Sequence, residues 1–125
     1  MVIVQDRSLR KSSGGRNTST RTKRKHMIGS APSMTGIGTD RLRTRRTKGG
    51  EKKQGLLSTN RVNLYDPKTK KHLVVKISTV KENTANRNFI RRNIMTKGTV
   101  IETEKGLAVI TNRPGQEKTI NAVLK

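Results

Sequence analysis

Arginine and lysine side chains dominate the groups in this sequence that can do chemistry. The densest cluster is RTKRK, which places four cations within residues 21–25. In a second cluster, Arg41, Arg43 and Arg45 alternate and Arg46 follows, so that in an extended chain the alternate members would project to one side. A guanidinium can hold phosphate through two parallel N–H donors, and an ammonium acts as a point charge. Both clusters predict contact with nucleic-acid phosphates.

The whole chain shares this excess of positive charge. Its 125 residues carry 29 Lys and Arg against 8 Asp and Glu, a formal charge of +21. Such a charge opposes compaction, whereas binding to phosphates releases the counterions condensed on a nucleic acid. An anionic membrane surface is a second possible partner. A solvated tail or a localisation signal is the alternative for residues 21–25, and a solvated strand face for Arg41–Arg46. We expect RNA contact instead.

Other chemistry finds little support in the residues present. Cysteine is absent, which excludes disulfides and thiolate metal sites, and His26 and His72 lie far apart among few carboxylates. Glu102 and Glu104 are better placed for salt bridges to lysines than for paired acid–base catalysis. The segment GSAPSMTGIG at 29–38 lacks the ending of a P-loop. We therefore expect no enzyme activity, cofactor, metal or small-molecule substrate. Because no apolar stretch reaches about 18 residues, we also expect no transmembrane helix.

The apolar residues that must position these cations are unevenly distributed. Residues 5–55 contain seven of them, and residues 56–125 contain 25. The first part can bury too little surface to offset the entropy of ordering it. We therefore predict a long, irregular, basic extension over residues 1–55 and a folded domain over residues 56–125. The apolar run at 1–4 is a candidate for one more strand of that domain.

The C-terminal part shows alternating apolar residues separated by turn signals. One hairpin is predicted over residues 61–77 around the turn DPKTK, and a second over residues 99–111 around Gly106. Leu107 and Val109 are expected to resume the inward alternation of the second hairpin. About five short strands separated by turns are typical of a small closed or nearly closed β-barrel. The predicted fold class is therefore mainly β.

One segment interrupts the strand pattern. Residues 82–94, ENTANRNFIRRNI, lack strand alternation. Asn83 or Thr84 is a candidate cap for a short helical turn that would carry Phe89 and Ile90 inward.

Several motifs resemble a known family. The strongest run is RRNIMTKGTVIETEKGLAVITNRPGQEKTINAVL at residues 91–124, with the specific pieces RRNI-TKG, RPGQ and NAVL. Further matching motifs are GGR at 14–16, KRK at 23–25, TGIG at 35–38, KGG at 48–50 and DPKT at 66–69. In order and in length, the sequence resembles the archaeal form of the small-subunit ribosomal protein S-eight-e family, which archaea and eukaryotes share.

This resemblance implies a β-barrel on the small subunit and an N-terminal extension threaded through ribosomal RNA. The protein would be a structural, non-catalytic constituent of cytoplasmic ribosomes that helps assembly, with small-subunit rRNA and neighbouring ribosomal proteins as partners. A transient assembly factor and a general nucleic-acid-binding protein are the alternatives. Arg113 is as well suited to holding the RPGQ turn as to contacting RNA. The side chains expected to contact rRNA are Arg7, Arg10, Lys11, Arg16, Arg21, Lys23, Arg24, Lys25, His26, Arg41, Arg43, Arg45, Arg46, Lys48, Arg91, Arg92, Lys97 and Arg113.

Overall fold

The structure, a computed structural model, divides the chain into two compact units, Met1–Pro32 and Ser33–Lys125. The residues that it describes are residue 3 and residues 7–18, 21–22 and 24–125. Most of the strand suggested for residues 1–4 lies outside the described residues, and Ile3 is not part of a strand.

The N-terminal unit contains a closed loop and one short helical turn. Arg10 and Arg16 form an antiparallel bridge, and the chain between them turns through Gly14 at a φ of +84°. The guanidinium of Arg10 donates a hydrogen bond of 2.8 Å to the carbonyl oxygen of Gly14. A single 3-10 turn follows at Lys25–Met27. None of the described residues of this unit is buried. Local hydrogen bonds therefore hold the loop without help from a core.

The second unit begins with a three-stranded sheet. Strands β1 (Gly36–Ile37) and β2 (Arg41–Arg46) lie on either side of β3 (Lys52–Thr59). The pairing is parallel between β1 and β3 and antiparallel between β2 and β3. The expectation of a long irregular extension is therefore wrong from residue 36 onward. The physical reason is that β3 is anchored by the buried side chain of Leu56 and offers its backbone to β2, so β2 needs no apolar face of its own.

The remaining strands close into the predicted barrel. Its strands are β4 (Arg61–Asp66), β5 (Lys71–Glu82), β6 (Val100–Thr103), β7 (Gly106–Ile110) and β8 (Asn121–Leu124). They pair in that order, and β8 returns to β4 in a parallel pairing that completes the barrel. Closure gives each of these short strands two neighbours and removes the free edges that hairpins otherwise expose.

Alternate apolar side chains fill the barrel interior. The buried core includes Val62, Leu64, Val75, Ile77, Val80, Met95, Ile101, Ala108, Ile110, Ile120 and Ala122. The inward direction expected for Leu107 and Val109 is wrong, because Ala108 and Ile110 are buried and Leu107 is exposed. Pairing decides this face: Ile101, which is fully buried, lies directly opposite Ala108. Every residue from Leu107 to Ile110 is apolar, so alternation alone cannot choose between the two faces.

The segment between β5 and β6 contains helix α1 (Asn88–Arg91), close to the predicted helical turn. Phe89 and Ile90 are half-buried, but neither proposed cap is used, because α1 has no side-chain cap. Asn83 is instead buried. Its amide donates to the carbonyl oxygen of Ile94 at 3.1 Å, and its carbonyl accepts a hydrogen bond of 3.1 Å from the hydroxyl of Thr96. Asn83 therefore closes the loop that contains α1.

Candidate nucleic-acid interface

Strand β2 and the start of β3 form a strongly basic two-stranded ribbon. We define the basic ribbon as residues 41–54, which include the turn at 47–51. Each of its residues is exposed except Thr47 and Gln54, which are half-buried. The basic ribbon contains seven Lys and Arg side chains and a single carboxylate, that of Glu51. It is therefore a concentrated positive surface that the rest of the second unit leaves open to solvent.

The register of the basic ribbon places like charges directly opposite each other. Arg45 pairs with Lys53, and Arg46 pairs with Lys52. Directly paired side chains leave the same face of a sheet and successive side chains leave opposite faces. The two pairs therefore lie on opposite faces. Like charges in directly opposed positions are destabilising, so the register by itself disfavours each of these pairs.

The alternating arginines lie on β2, in the extended conformation for which their spacing would project them to one side. Arg41, Arg43 and Arg45 hold alternate positions of β2, and a register shift against β3 falls between Arg41 and Leu42. Lys48 lies in the turn and is exposed.

Hydrogen bonds fix the base of the basic ribbon. The carboxylate of Asp40 accepts a hydrogen bond of 2.6 Å from the hydroxyl of Thr59 and one of 2.7 Å from the guanidinium of Arg61. Both contacts favour the charged form, so the Thr59 hydroxyl and, after it, Arg61 hold the pKa of Asp40 below its ordinary value. The hydroxyl of Thr35 donates to the carbonyl oxygen of Leu56 at 2.7 Å. The segment that precedes β2 is thus tied to β3 and to Arg61 of β4.

Glycine allows the barrel to touch the base of the basic ribbon. The RPGQ segment forms a 3-10 turn at Pro114–Gln116, and any side chain at Gly55 would collide with the backbone of Gly115. This contact covers the face of β3 toward which a side chain at position 55 would project. Arg113 directly precedes the turn, is exposed and makes no side-chain hydrogen bond that caps it. The RPGQ turn therefore places Arg113 next to the segment that packs against the base of the basic ribbon.

A third group of predicted cations lies beside the same small sheet. Arg91 ends helix α1, Arg92 follows it, and Lys97 lies in the turn before β6; all three are exposed. An isolated antiparallel bridge joins Ile94 to Gly36 of β1. The segment that carries these cations is therefore attached to the sheet that carries the basic ribbon.

The other predicted contacts lie in the N-terminal unit. The closed loop holds Arg10, Lys11 and Arg16 together, and Lys25 begins the 3-10 turn. Lys23 lies outside the described residues. The described members of this group, all exposed, are Arg7, Arg10, Lys11, Arg16, Arg21, Arg24, Lys25 and His26.

Lys52 and Lys53 are not among the contacts predicted from the sequence, although the register places them opposite Arg46 and Arg45. A signal for them exists in TKGGE at 47–51, a turn sequence with Gly50 at a φ of +87° between two charged stretches. Such a turn between extended segments is typical of a hairpin.

The Glu102 side chain is engaged in local contacts. Glu102 accepts a hydrogen bond of 2.9 Å from the Thr79 hydroxyl and forms a salt bridge of 3.2 Å with the Lys81 ammonium, as expected for a surface ion pair. The Thr79 hydroxyl first, and then Lys81, lower the pKa of Glu102. Among the described residues, no three His, Asp or Glu side chains are placed to hold a metal ion. The described part of the chain also contains no helix of the length and apolarity that crossing a membrane requires.

Comparisons with known proteins agree with the resemblance in the motifs. The family described as Ribosomal protein S8e matches residues 4–125. A Picrophilus torridus protein named small ribosomal subunit protein eS8 is 48% identical over 99% of each chain. Proteins of the same name from Methanobrevibacter smithii and Methanospirillum hungatei are 46% identical over 99% of each chain and 51% identical over 96% of each chain. With a match over nearly its whole length, the chain belongs to the ribosomal protein S8e family.

Proposed function

We propose that the protein is a structural constituent of the small ribosomal subunit that binds and stabilises small-subunit rRNA during assembly and translation. The observation that carries this proposal is the basic ribbon, a fixed and exposed concentration of cations in a member of a ribosomal protein family. Its place would be the cytoplasmic ribosome, with neighbouring small-subunit proteins as further partners.

The proposed contacts are the eighteen side chains predicted from the sequence together with Lys52 and Lys53. Two features support them. Each predicted side chain within the described part of the chain is exposed, and many are grouped on the basic ribbon, on the segment after α1 or in the closed loop of the N-terminal unit.

The proposed mechanism is electrostatic and structural. RNA phosphates supply the negative charge that the few carboxylates of the chain do not provide. Binding also releases counterions condensed on the RNA, which favours the complex. Residues 1–55 would supply the part of the chain that penetrates between RNA helices, and the barrel would dock on the RNA surface. Ordering of the N-terminal unit on RNA costs conformational entropy, which the phosphate contacts offset.

Sedimentation of native cell extract tests the proposal. The protein is followed across the gradient before and after a wash with moderate salt. Co-migration with mature small subunits and assembled ribosomes that survives the wash is the expected result. Presence only on precursor particles would instead identify a transient assembly factor. Migration with DNA, or at the top of the gradient, would contradict the ribosomal proposal and favour a general nucleic-acid-binding protein.

A further inference from the structure

We propose that the barrel holds a further segment of small-subunit rRNA at the end where β4 finishes, through lysines that the fold collects there from distant parts of the chain. This inference rests on the proposed function and adds a site that shares no residue with the contacts proposed for it. We call this site the lysine end and define it by five exposed side chains, those of Lys68, Lys70, Lys71, Lys105 and Lys125.

Closure of the barrel brings the lysine end together from three parts of the chain. The turn between β4 and β5, with the first residue of β5, carries the first three lysines. Lys105 lies in the turn between β6 and β7. Lys125 follows β8 and donates its backbone N–H to the carbonyl oxygen of Leu107 at 2.9 Å. Because β8 pairs with both β4 and β7, these three parts are neighbours around one end of the barrel.

The lysine end is separate from the other proposed contacts of the second unit. Strand β3, which carries part of the basic ribbon, leads into the start of β4 at Arg61, whereas the lysine end lies beyond the last residue of β4, Asp66. At about 3.4 Å per residue, these two ends of β4 are about 17 Å apart. Lys97 and Arg113 lie at the same end as Arg61, because they precede β6 and β8. The lysine end is therefore a second cationic surface.

The carboxylates at this end leave the lysines available to an outside anion. Asp66 lies directly opposite Lys71 in the register, but its carboxylate accepts hydrogen bonds from the backbone N–H of Lys68 at 2.9 Å and from the hydroxyl of Thr69 at 2.8 Å. Glu104, the other carboxylate nearby, is exposed. None of the five lysines forms a salt bridge within the described part of the chain.

The backbone at Lys70 supports a role for its side chain. Lys70 has a φ of +54°, in the left-handed region that glycine adopts at lower cost than other residues. The geometry of the turn therefore favours glycine here rather than lysine. A residue in such a conformation is a reason to look for a function. For an exposed ammonium group, that function is contact with an anion.

An aromatic pair beside the lysine end favours RNA over an acidic protein segment as this anion. The ring centroids of Tyr65 and His72 lie 4.9 Å apart, with the ring planes tilted by 35°. His72 is exposed and directly follows Lys71. Unpaired RNA bases stack on tyrosine and histidine rings, whereas a run of carboxylates makes no use of such a surface. The lysine end thus offers phosphate contacts together with a ring on which one base can stack.

Two double variants of the full chain test whether the lysines form one site. The first is Lys70→Gln with Lys71→Gln, and the second is Lys105→Gln with Lys125→Gln. The measurement is hydroxyl-radical footprinting of small-subunit rRNA bound to each protein at equal saturation. We expect both variants to lose protection of the same rRNA segment. Each should also reduce the slope of log K against log salt by about 2, because each lysine that leaves a phosphate removes about 1.

The matched control is Lys76→Gln with Lys118→Gln, which removes two exposed lysines outside the lysine end. It should retain protection of that segment. His72→Ala tests the stacked base. It should weaken rRNA binding by about 5-fold or more and leave the salt slope unchanged, because it removes a ring and no phosphate contact.

An unchanged footprint and salt slope in both lysine variants would overturn the inference while the unmodified chain still binds rRNA, which leaves the proposed function standing. Loss of two different segments would also overturn it, because the lysines would then not form one site. Full affinity of the His72→Ala variant would overturn the base contact. If the unmodified chain protects no rRNA segment, the proposed function fails, and this inference fails with it. Circular dichroism establishes that each variant is folded before footprinting.

Discussion

Gly55 directly follows the basic ribbon, where β3 packs against the 3-10 turn at Pro114–Gln116. The backbone of Gly115 occupies the place that a side chain at this position would need. A methyl group there must push β3 away from the 3-10 turn, and two backbone segments cannot yield as a flexible side chain can. Overpacking of this kind typically costs about 1–3 kcal/mol.

Gly55→Ala should therefore lower the free energy of unfolding by about 1–3 kcal/mol, as measured by urea denaturation. Gly49→Ala is the matched control, since nothing lies within 4 Å of the position of its added methyl group. The control should stay within about 0.5 kcal/mol of the unmodified protein. Equal stabilities for the two variants would contradict the close contact at Gly55.

Asp40 owes its lowered pKa first to the hydroxyl of Thr59. Thr59→Val removes that donor while keeping the shape of the side chain, so the pKa of Asp40 should rise toward its ordinary value. Because the pKa is lowered in the folded state, the stabilisation from Asp40 is present at neutral pH and is lost as the pH falls through that pKa. Titration of the carboxyl carbons by NMR measures the change.

Asp66 provides the internal control for this titration. Its pKa is held down by the Thr69 hydroxyl and the Lys68 backbone N–H in the turn between β4 and β5. The value for Asp66 should be the same in the Thr59→Val variant and the unmodified protein. An unchanged pKa for Asp40 would show that Thr59 does not set its charge.

At the scale of the element, the basic ribbon is a hairpin whose stability and RNA affinity should respond in opposite directions. Lys52→Glu places a carboxylate directly opposite Arg46. Replacing a like-charged pair by an opposite-charged pair should raise the free energy of unfolding of the free protein by about 0.2–1 kcal/mol. The same change should weaken rRNA binding and reduce the slope of log K against log salt by about 1.

Lys118→Glu is the control for this pair of measurements, because it makes the same charge change at an exposed position outside the strands. It should leave the stability within about 0.5 kcal/mol of the unmodified protein. A Lys52→Glu variant that loses stability would contradict the cross-strand register, and one that binds rRNA with full affinity would remove Lys52 from the interface.

At the scale of the whole molecule, the two compact units should differ in local stability. The barrel combines a closed set of backbone hydrogen bonds with buried side chains, whereas none of the described residues before Ser33 is buried. Amides whose hydrogen bonds are exposed and lack packing open at low free energy. Hydrogen exchange of the free protein, followed by mass spectrometry, should show slow exchange in β4–β8 and fast exchange in residues 7–18.

Binding to rRNA should then slow exchange in residues 7–18 while the barrel core changes little. The barrel residues Ile101 and Ala108, which are fully buried, provide the internal reference. Protection of residues 7–18 equal to that of the barrel in the free protein would contradict the view that this unit depends on RNA for its order.

Parts of this fold were predictable because patterns of residue types along the sequence indicate them. Val62 and Leu64 alternate with the polar residues Arg61 and Asn63, so their shared inward face could be inferred. Asp66 followed by Pro67 indicated the turn. The basic ribbon carries no such pattern. Its strands consist of Arg, Lys, Thr and Gln apart from Leu42. Its order comes from the pairing of β2 with β3, whose other end is buried at Leu56.

The chemistry of this protein follows from its amino-acid composition alone. Its charge of +21, its lack of cysteine and its scattered carboxylates already favour a phosphate-rich partner, because these properties do not depend on how the chain folds. Which cations lie together depends instead on contacts between distant parts of the chain. Only pairing between strands places Lys53 beside Arg45 and Lys52 beside Arg46. Only the contact of Gly55 with Gly115 sets the point on β3 beyond which the barrel no longer covers the strand. These are relations between residues distant in the chain, which no local pattern encodes.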